Sequence, residues 1–127
     1  MKLWIDDVRP APEGYVWYQT VNEAKENIET LEKLFDSACN SVRYHFAKGN
    51  GLCVEEYLGE AKAHKIELID LDHDAGEYAN DGGDYIKLLD WLEATGRNYP
   101  IRIHSMNPVG VANMRAIIER NGWTEVK

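Results

Sequence analysis

Two sets of carboxylates follow two apolar runs of this 127-residue chain: Asp6 and Asp7 after Leu3-Trp4-Ile5, and Asp72 with Asp74 after Ile66 to Leu71. If both runs are parallel strands, the four acids gather at one edge of one sheet. Adjacent carboxylates repel one another strongly unless a hard cation sits among them, so the spacing predicts a divalent metal site. Oxygen-only ligation favours Mg²⁺ or Mn²⁺. His73 and His104 could instead join Asp72 and Asp74 around Zn²⁺ or Fe²⁺, which we place second. The competing reading of any one cluster is a loop or helix cap that needs no ion.

The elements that must position these acids alternate along the chain. Lys2 to Ile5 reads as a strand, followed by a Pro-rich loop, Val8 to Gly14, that cannot hold a helix. Tyr15 to Gln19 reads as a second strand. Thr20 then caps a helix from Val21, with Glu23 three residues on and Ala24, Ile28, Leu31 and Leu34 as its apolar stripe; it is expected to end in the mid-thirties. Residues 36–65 read as a helical insertion broken at Lys48-Gly49-Asn50-Gly51, its second half carrying Val54, Tyr57, Leu58 and Ala61.

Ile66 to Leu71 is the third expected strand, followed by an Asn80-Asp81-Gly82-Gly83 turn and a helix with Tyr85, Leu88, Leu89 and Leu92 on one face. Ile101 to Ile103 is the fourth strand. A helix with Val111, Met114, Ile117 and Ile118 comes next, and Trp123 to Val126 is expected as a fifth strand. Alternation of this kind predicts one α/β domain over 1–127, a parallel five-stranded sheet with helices on both faces, hence a three-layer sandwich. Ligands in such sheets bind beyond the carboxyl ends of the strands, where Asp6-Asp7-Val8-Arg9, Asp72-His73-Asp74 and His104-Ser105-Met106-Asn107 all fall.

Composition narrows the partners. A formal charge of −8 argues against sequence-independent binding to long nucleic acid, which depends on clustered Lys and Arg, but leaves small anions open. No apolar run approaches the ~18 residues of a membrane span, and the first residues carry no secretory or transit pattern, so a cytoplasmic setting is expected. Cys39 and Cys53 fit no disulfide or metal spacing, and His45 and His64 read as surface residues. Trp17, Tyr18, Trp91 and Trp123 suit packing, while Trp4 and Tyr78 lie near enough to the loops for nucleobase contact. Gly82-Gly83 has no strand directly before it and is not a phosphate loop.

The motifs Trp4-Ile5-Asp6-Asp7-Val8-Arg9-Pro10, Leu71-Asp72-His73-Asp74 and Ile103-His104-Ser105-Met106-Asn107-Pro108-Val109-Gly110 resemble those of the cyclic-phosphate processing receiver-like domain, an offshoot of the response-regulator receivers. The resemblance implies a receiver-like, flavodoxin-like fold over about three quarters of the chain, everything but 36–65. It places Asp6, Asp7 and Asp72 at the receiver's Mg²⁺ positions and Ser105 at its phosphoryl-contacting hydroxyl. Two departures stand out: a loop replaces the first helix, and the chain stops before a fifth one. Lys127 lies near the place of the receiver lysine, its role open.

A cyclic phosphodiester as ligand, which the resemblance implies, needs an activated water, a proton for the departing oxygen and positive charge on the phosphoryl oxygens. On that basis His104 is expected as acid or base, His73 as its partner or an orienting group, and Ser105 and Asn107 with the cation as holders of phosphate. Arg9 would add a planar grip. The expected function is a metal-dependent phosphoesterase-like domain that binds or hydrolyses a cyclic phosphate, on a nucleotide or an RNA end. The alternatives are a phosphoacceptor with Asp72 phosphorylated, or a non-catalytic module for a phosphorylated ligand or partner protein. The two acids of Asp72-His73-Asp74 also suit a haloacid-dehalogenase-like nucleophile motif, but that motif normally follows the first strand of a larger domain.

Overall fold

Four short parallel strands form the sheet in the computed structural model, which describes residues 1–127: β1 (Lys2–Ile5), β2 (Tyr15–Tyr18), β3 (Leu68–Leu71) and β4 (Ile101–Ile103), in the order β2-β1-β3-β4. This is the flavodoxin-like strand order. The helices are α1 (Val21–Ala47), α2 (Gly51–His64), α3 (Ile86–Ala94) and α4 (Pro108–Asn121), with a 3₁₀ turn at Gly76–Asn80. The expected fifth strand shrinks to one parallel bridge, Ile101 to Glu125, held by Ile101 N–H on Thr124 O and Val126 N–H on Ile101 O. β4 itself is only three residues long and offers no longer edge to pair with.

Register sorts the side chains by face. Leu3, Ile69 and Ile101 lie in one row, and Ile5, Leu71 and Ile103 in the next. Most of these are fully buried, and they pack with Val21, Ile28, Leu88, Leu92, Met114 and Ile118 from α1, α3 and α4 into one core. The alternate row, Trp17-Trp4-Asp70-Arg102, belongs to the opposite face and lies outside that core. The crossovers from β2 to β3 and from β3 to β4 run the same way across the sheet, so right-handed connection puts their helices on the same face. Only the β1–β2 connection runs the other way, and it is the helix-free segment Asp6 to Gly14. The domain is therefore two-layered, correcting the three-layer expectation. Its second face is covered by that loop and by the side chains of the sheet itself.

α1 continues to Ala47, well past the expected end in the mid-thirties. Thr20 Oγ1 does accept the Glu23 N–H, and no Gly or Pro interrupts the chain until Gly49, whose φ of 74° makes the break. The buried stripe is Val21, Ala24, Ile28, Leu31 and Ala38, with Phe35 half-buried in line; Leu34 falls off it and is exposed. α2 packs on the second half of α1 and buries only Ala61 fully. Its Leu58 faces solvent, while Val54 and Tyr57 are half-buried. β3 begins at Leu68 rather than Ile66, although Ile66 remains in the core.

Candidate metal and phosphate site

Asp6 leaves the end of β1 fully buried and held on both oxygens. Oδ1 accepts the N–H groups of Val8 (3.0 Å) and Arg9 (2.8 Å), and Oδ2 meets His104 Nε2 at 2.8 Å. Burial pushes its pKa up, but the Arg9 N–H, His104 and the Val8 N–H outweigh it and hold the carboxyl below its ordinary value. Asp7 is the opposite case. Burial, then the charges of Asp6 and Asp72, hold it above its ordinary value against the pull of its own N–H. Asp72, at the end of β3, accepts only the His73 N–H, at 2.8 Å.

One ligand atom from each of Asp6, Asp7 and Asp72 lies within 4.8 Å of the other two. No Lys or Arg forms an ion pair with any of the three. Three carboxylates this close, with only the His104 imidazole on Asp6 to offset their charge and one of them already resisting ionisation, suit a bound divalent cation: an ion would hold all three as anions. Asp74 is not in the group. It is exposed, with Oδ1 2.9 Å from His73 Nδ1 and Oδ2 accepting from Asn107 Nδ2 at 3.4 Å.

Gly76 completes the wall. At φ 55°, a Cβ there would stand 2.6 Å from Asp7 Oδ2, so the 3₁₀ turn can approach Asp7 only as glycine. Tyr85, fully buried beneath the acids, donates to Gln19 O at 2.7 Å. Burial, reinforced by the charges of Asp7, Asp6 and Asp72, raises its phenol far above the usual range. Neither residue stood out in the sequence as part of the site; glycine after Asp72-His73-Asp74-Ala75 was the available signal.

The two histidines occupy different settings. His104 has 10% of its side chain exposed, and its ring lies flat on Trp4, centroids 3.8 Å apart and planes 4° apart. Both ring nitrogens are taken, Nδ1 by Asp70 Oδ1 at 2.6 Å and Nε2 by Asp6 Oδ2 at 2.8 Å. Burial would lower its pKa; the hydrogen bonds to Asp70 and Asp6 prevail and raise it. His73 packs against Gly110 in the first turn of α4, where a Cβ would come within 2.4 Å of the ring. Its Nδ1 faces Asp74, and its Nε2 has no partner in the protein.

Beside Asp72 and Asp74 opens a shallow cavity of about 280 Å³ lined by Arg9, Ser105, Met106 and Asn107. Asn107 caps α4, its Oδ1 accepting the Gly110 N–H, and Ser105 Oγ accepts the Asn107 N–H. The N–H groups of Ser105 and Met106 find no acceptor in the chain, so the approach to the α4 N-terminus presents free donors. Arg9 makes one long contact, Nη1 to His104 O at 3.5 Å. Lys127 pairs with Glu125 at 3.2 Å and not with the acids. Trp4, with one ring face covered by His104 and Nε1 bonded to Arg9 O, offers little to a nucleobase; Tyr78 remains exposed.

A parallel β2-β1-β3-β4 sheet with acids at the ends of β1 and β3 and a hydroxyl after β4 defines a receiver-like domain. The family model described as the cyclic-phosphate processing receiver domain matches residues 1–54 and 44–120, and the chain belongs to that family. The two matched spans overlap at residues 44–54, within the α1–α2 pair. No curated protein and no solved structure matches the chain. No helix is long and apolar enough to cross a membrane.

Proposed function

We propose that this domain binds a cyclic phosphodiester beside a divalent cation and opens its ring by hydrolysis. The observation that carries the reading is the meeting of Asp6, Asp7 and Asp72 within 4.8 Å, without a Lys or Arg partner, next to a cavity lined by Arg9, Ser105 and Asn107. The oxygen-only cluster favours Mg²⁺ or Mn²⁺ over Zn²⁺ or Fe²⁺, since the residues that meet are Asp6, Asp7 and Asp72 with no histidine among them, and His104 has no free nitrogen.

Such an ion would neutralise phosphoryl charge and make a coordinated water more acidic. The chain supplies the rest. Arg9 and the free N–H groups of Ser105 and Met106 can hold the non-bridging oxygens. Ser105 Oγ, while accepting from Asn107 N–H, still has its own proton to donate. Ring opening adds one water oxygen to phosphorus, breaks one ester bond, and sends a proton to the departing oxygen. His73, through Nε2, is the imidazole able to exchange a proton with a ligand, a role first expected of His104.

The test is ³¹P NMR of a nucleoside 2′,3′-cyclic phosphate incubated with the protein and Mg²⁺. The expected result is conversion to a monoester, abolished by chelation and by Asp72→Asn. A stable phosphoryl adduct formed on Asp72 from acetyl phosphate, with no turnover of the cyclic ester, would support the phosphoacceptor reading instead.

A further inference from the structure

We propose that Asp70 is a positioning residue for the cation site: through His104 it fixes the orientation of the Asp6 carboxylate. The inference rests on reading Asp6, Asp7 and Asp72 as the cation ligands. Asp70 lies inside β3 between Ile69 and Leu71, fully buried. An aliphatic residue would satisfy that place at no electrostatic cost, whereas a buried carboxylate costs several kcal/mol unless it is well paired. Its pairing is incomplete for a merely structural acid. Oδ1 is bonded to His104, but Oδ2 has no hydrogen bond, and its nearest cation is Arg102 at 3.5 Å, on a side chain 47% exposed.

Its one good bond is aimed through an imidazole at a candidate ligand. Asp70 Oδ1 to His104 Nδ1 is 2.6 Å and His104 Nε2 to Asp6 Oδ2 is 2.8 Å, while Trp4, stacked on the ring, stops it from tilting. Asp6 thus receives three donors and cannot turn. Asp7 and Asp72 carry few donors and remain free to adjust. The cluster is one rigid arm and two adaptable ones, and partners behind a metal ligand that fix its orientation typically contribute about 10–100-fold in metal affinity.

The geometry can be broken and rebuilt. In His104→Gln the side-chain amide can still donate to Asp6, but its carbonyl then confronts the Asp70 carboxylate. In the Asp70→Asn/His104→Gln double variant, the Asn amide donates to the Gln carbonyl and the Gln amide to Asp6, restoring the relay without charge. Mn²⁺ binding to the full chain would be followed by electron paramagnetic resonance, and inner-sphere hydration by Eu³⁺ luminescence lifetimes in H₂O and D₂O. Metal-free melting curves would establish that each variant is folded.

We expect Asp70→Leu and His104→Gln each to weaken Mn²⁺ by about 10-fold or more and to admit extra inner-sphere water, and the double variant to recover to within about threefold of wild type. Should Asp70→Leu fail to fold, the comparison of His104→Gln with the double variant still decides. Wild-type affinity in folded His104→Gln, or additive losses in the double variant, would overturn the inference alone. Absence of Mn²⁺ binding by the wild-type chain would overturn the cation reading and this inference with it.

Discussion

Carboxylates at the two ends of the sheet meet opposite fates. At the amino end Glu32 is gripped by Arg97, with Nε 3.0 Å from both oxygens and Nη2 2.8 Å from Oε1, and Tyr99 OH donates to it as well. Trp91 lies under the guanidinium at 4.3 Å. Burial would raise the pKa of Glu32, but Arg97 and Tyr99 hold it below its ordinary value. At the carboxyl end Asp7 is held above its ordinary value, with two acids beside it and no Lys or Arg paired to it. The same chemical group stabilises the fold where its charge is matched and stores repulsion where it is not. The unmatched end is where a ligand's charge has something to gain.

Removing an acid from the unmatched end has the largest expected effect. Asp72→Asn or Asp7→Asn lowers Mg²⁺ affinity by about 100-fold in a calorimetric titration, while the metal-free protein melts higher because repulsion is relieved. A lower metal-free melting temperature would break the contrast, showing these acids to be structural like Glu32.

At the matched end the sign reverses. Glu32→Gln costs about 1–2 kcal/mol in urea unfolding at neutral pH. Glu32 has a depressed folded pKa, so its contribution is present above its unfolded value and fades as the pH falls through the folded one. Stability of Glu32→Gln therefore converges on wild type in acid; a constant gap across that range would mean that packing, not charge, sets the loss.

Lys127→Ala should do least. Its ammonium is exposed and pairs only with Glu125, so stability changes by no more than about 0.5 kcal/mol and Mg²⁺ affinity stays the same. A fall in affinity would move Lys127 into the site.

Local patterns carried much of this architecture. β-branched and aromatic runs marked β1, β2 and β4 at their observed bounds or within a residue, Thr20 and Glu23 marked the start of α1, and Asn107-Pro108 and Gly122 bracket α4. The end of α1 was missed because it depends on α2 packing alongside, a contact that no propensity within 36–47 encodes. The fifth strand was overread because a short apolar run states no partner. Of the site, Asp6, Asp7 and Asp72 were legible from strand ends alone, while Asp74 looked equivalent in sequence and turned instead to His73 and Asn107.

Order along the chain was enough to say that acids following parallel strands would share one rim, because chain direction and strand direction are the same thing in a parallel sheet. It could not say which face each neighbouring side chain would take or what would lie across from it. Asp70 and His104 are separated by 34 residues, one inside β3 and the other just past the end of its neighbour β4, so their 2.6 Å contact exists only once β3 and β4 are in register. That register gave His104 two carboxylates in place of a ligand, while the direction of the crossovers and the helix-free β1–β2 connection left one face of the sheet without a helix to cover it.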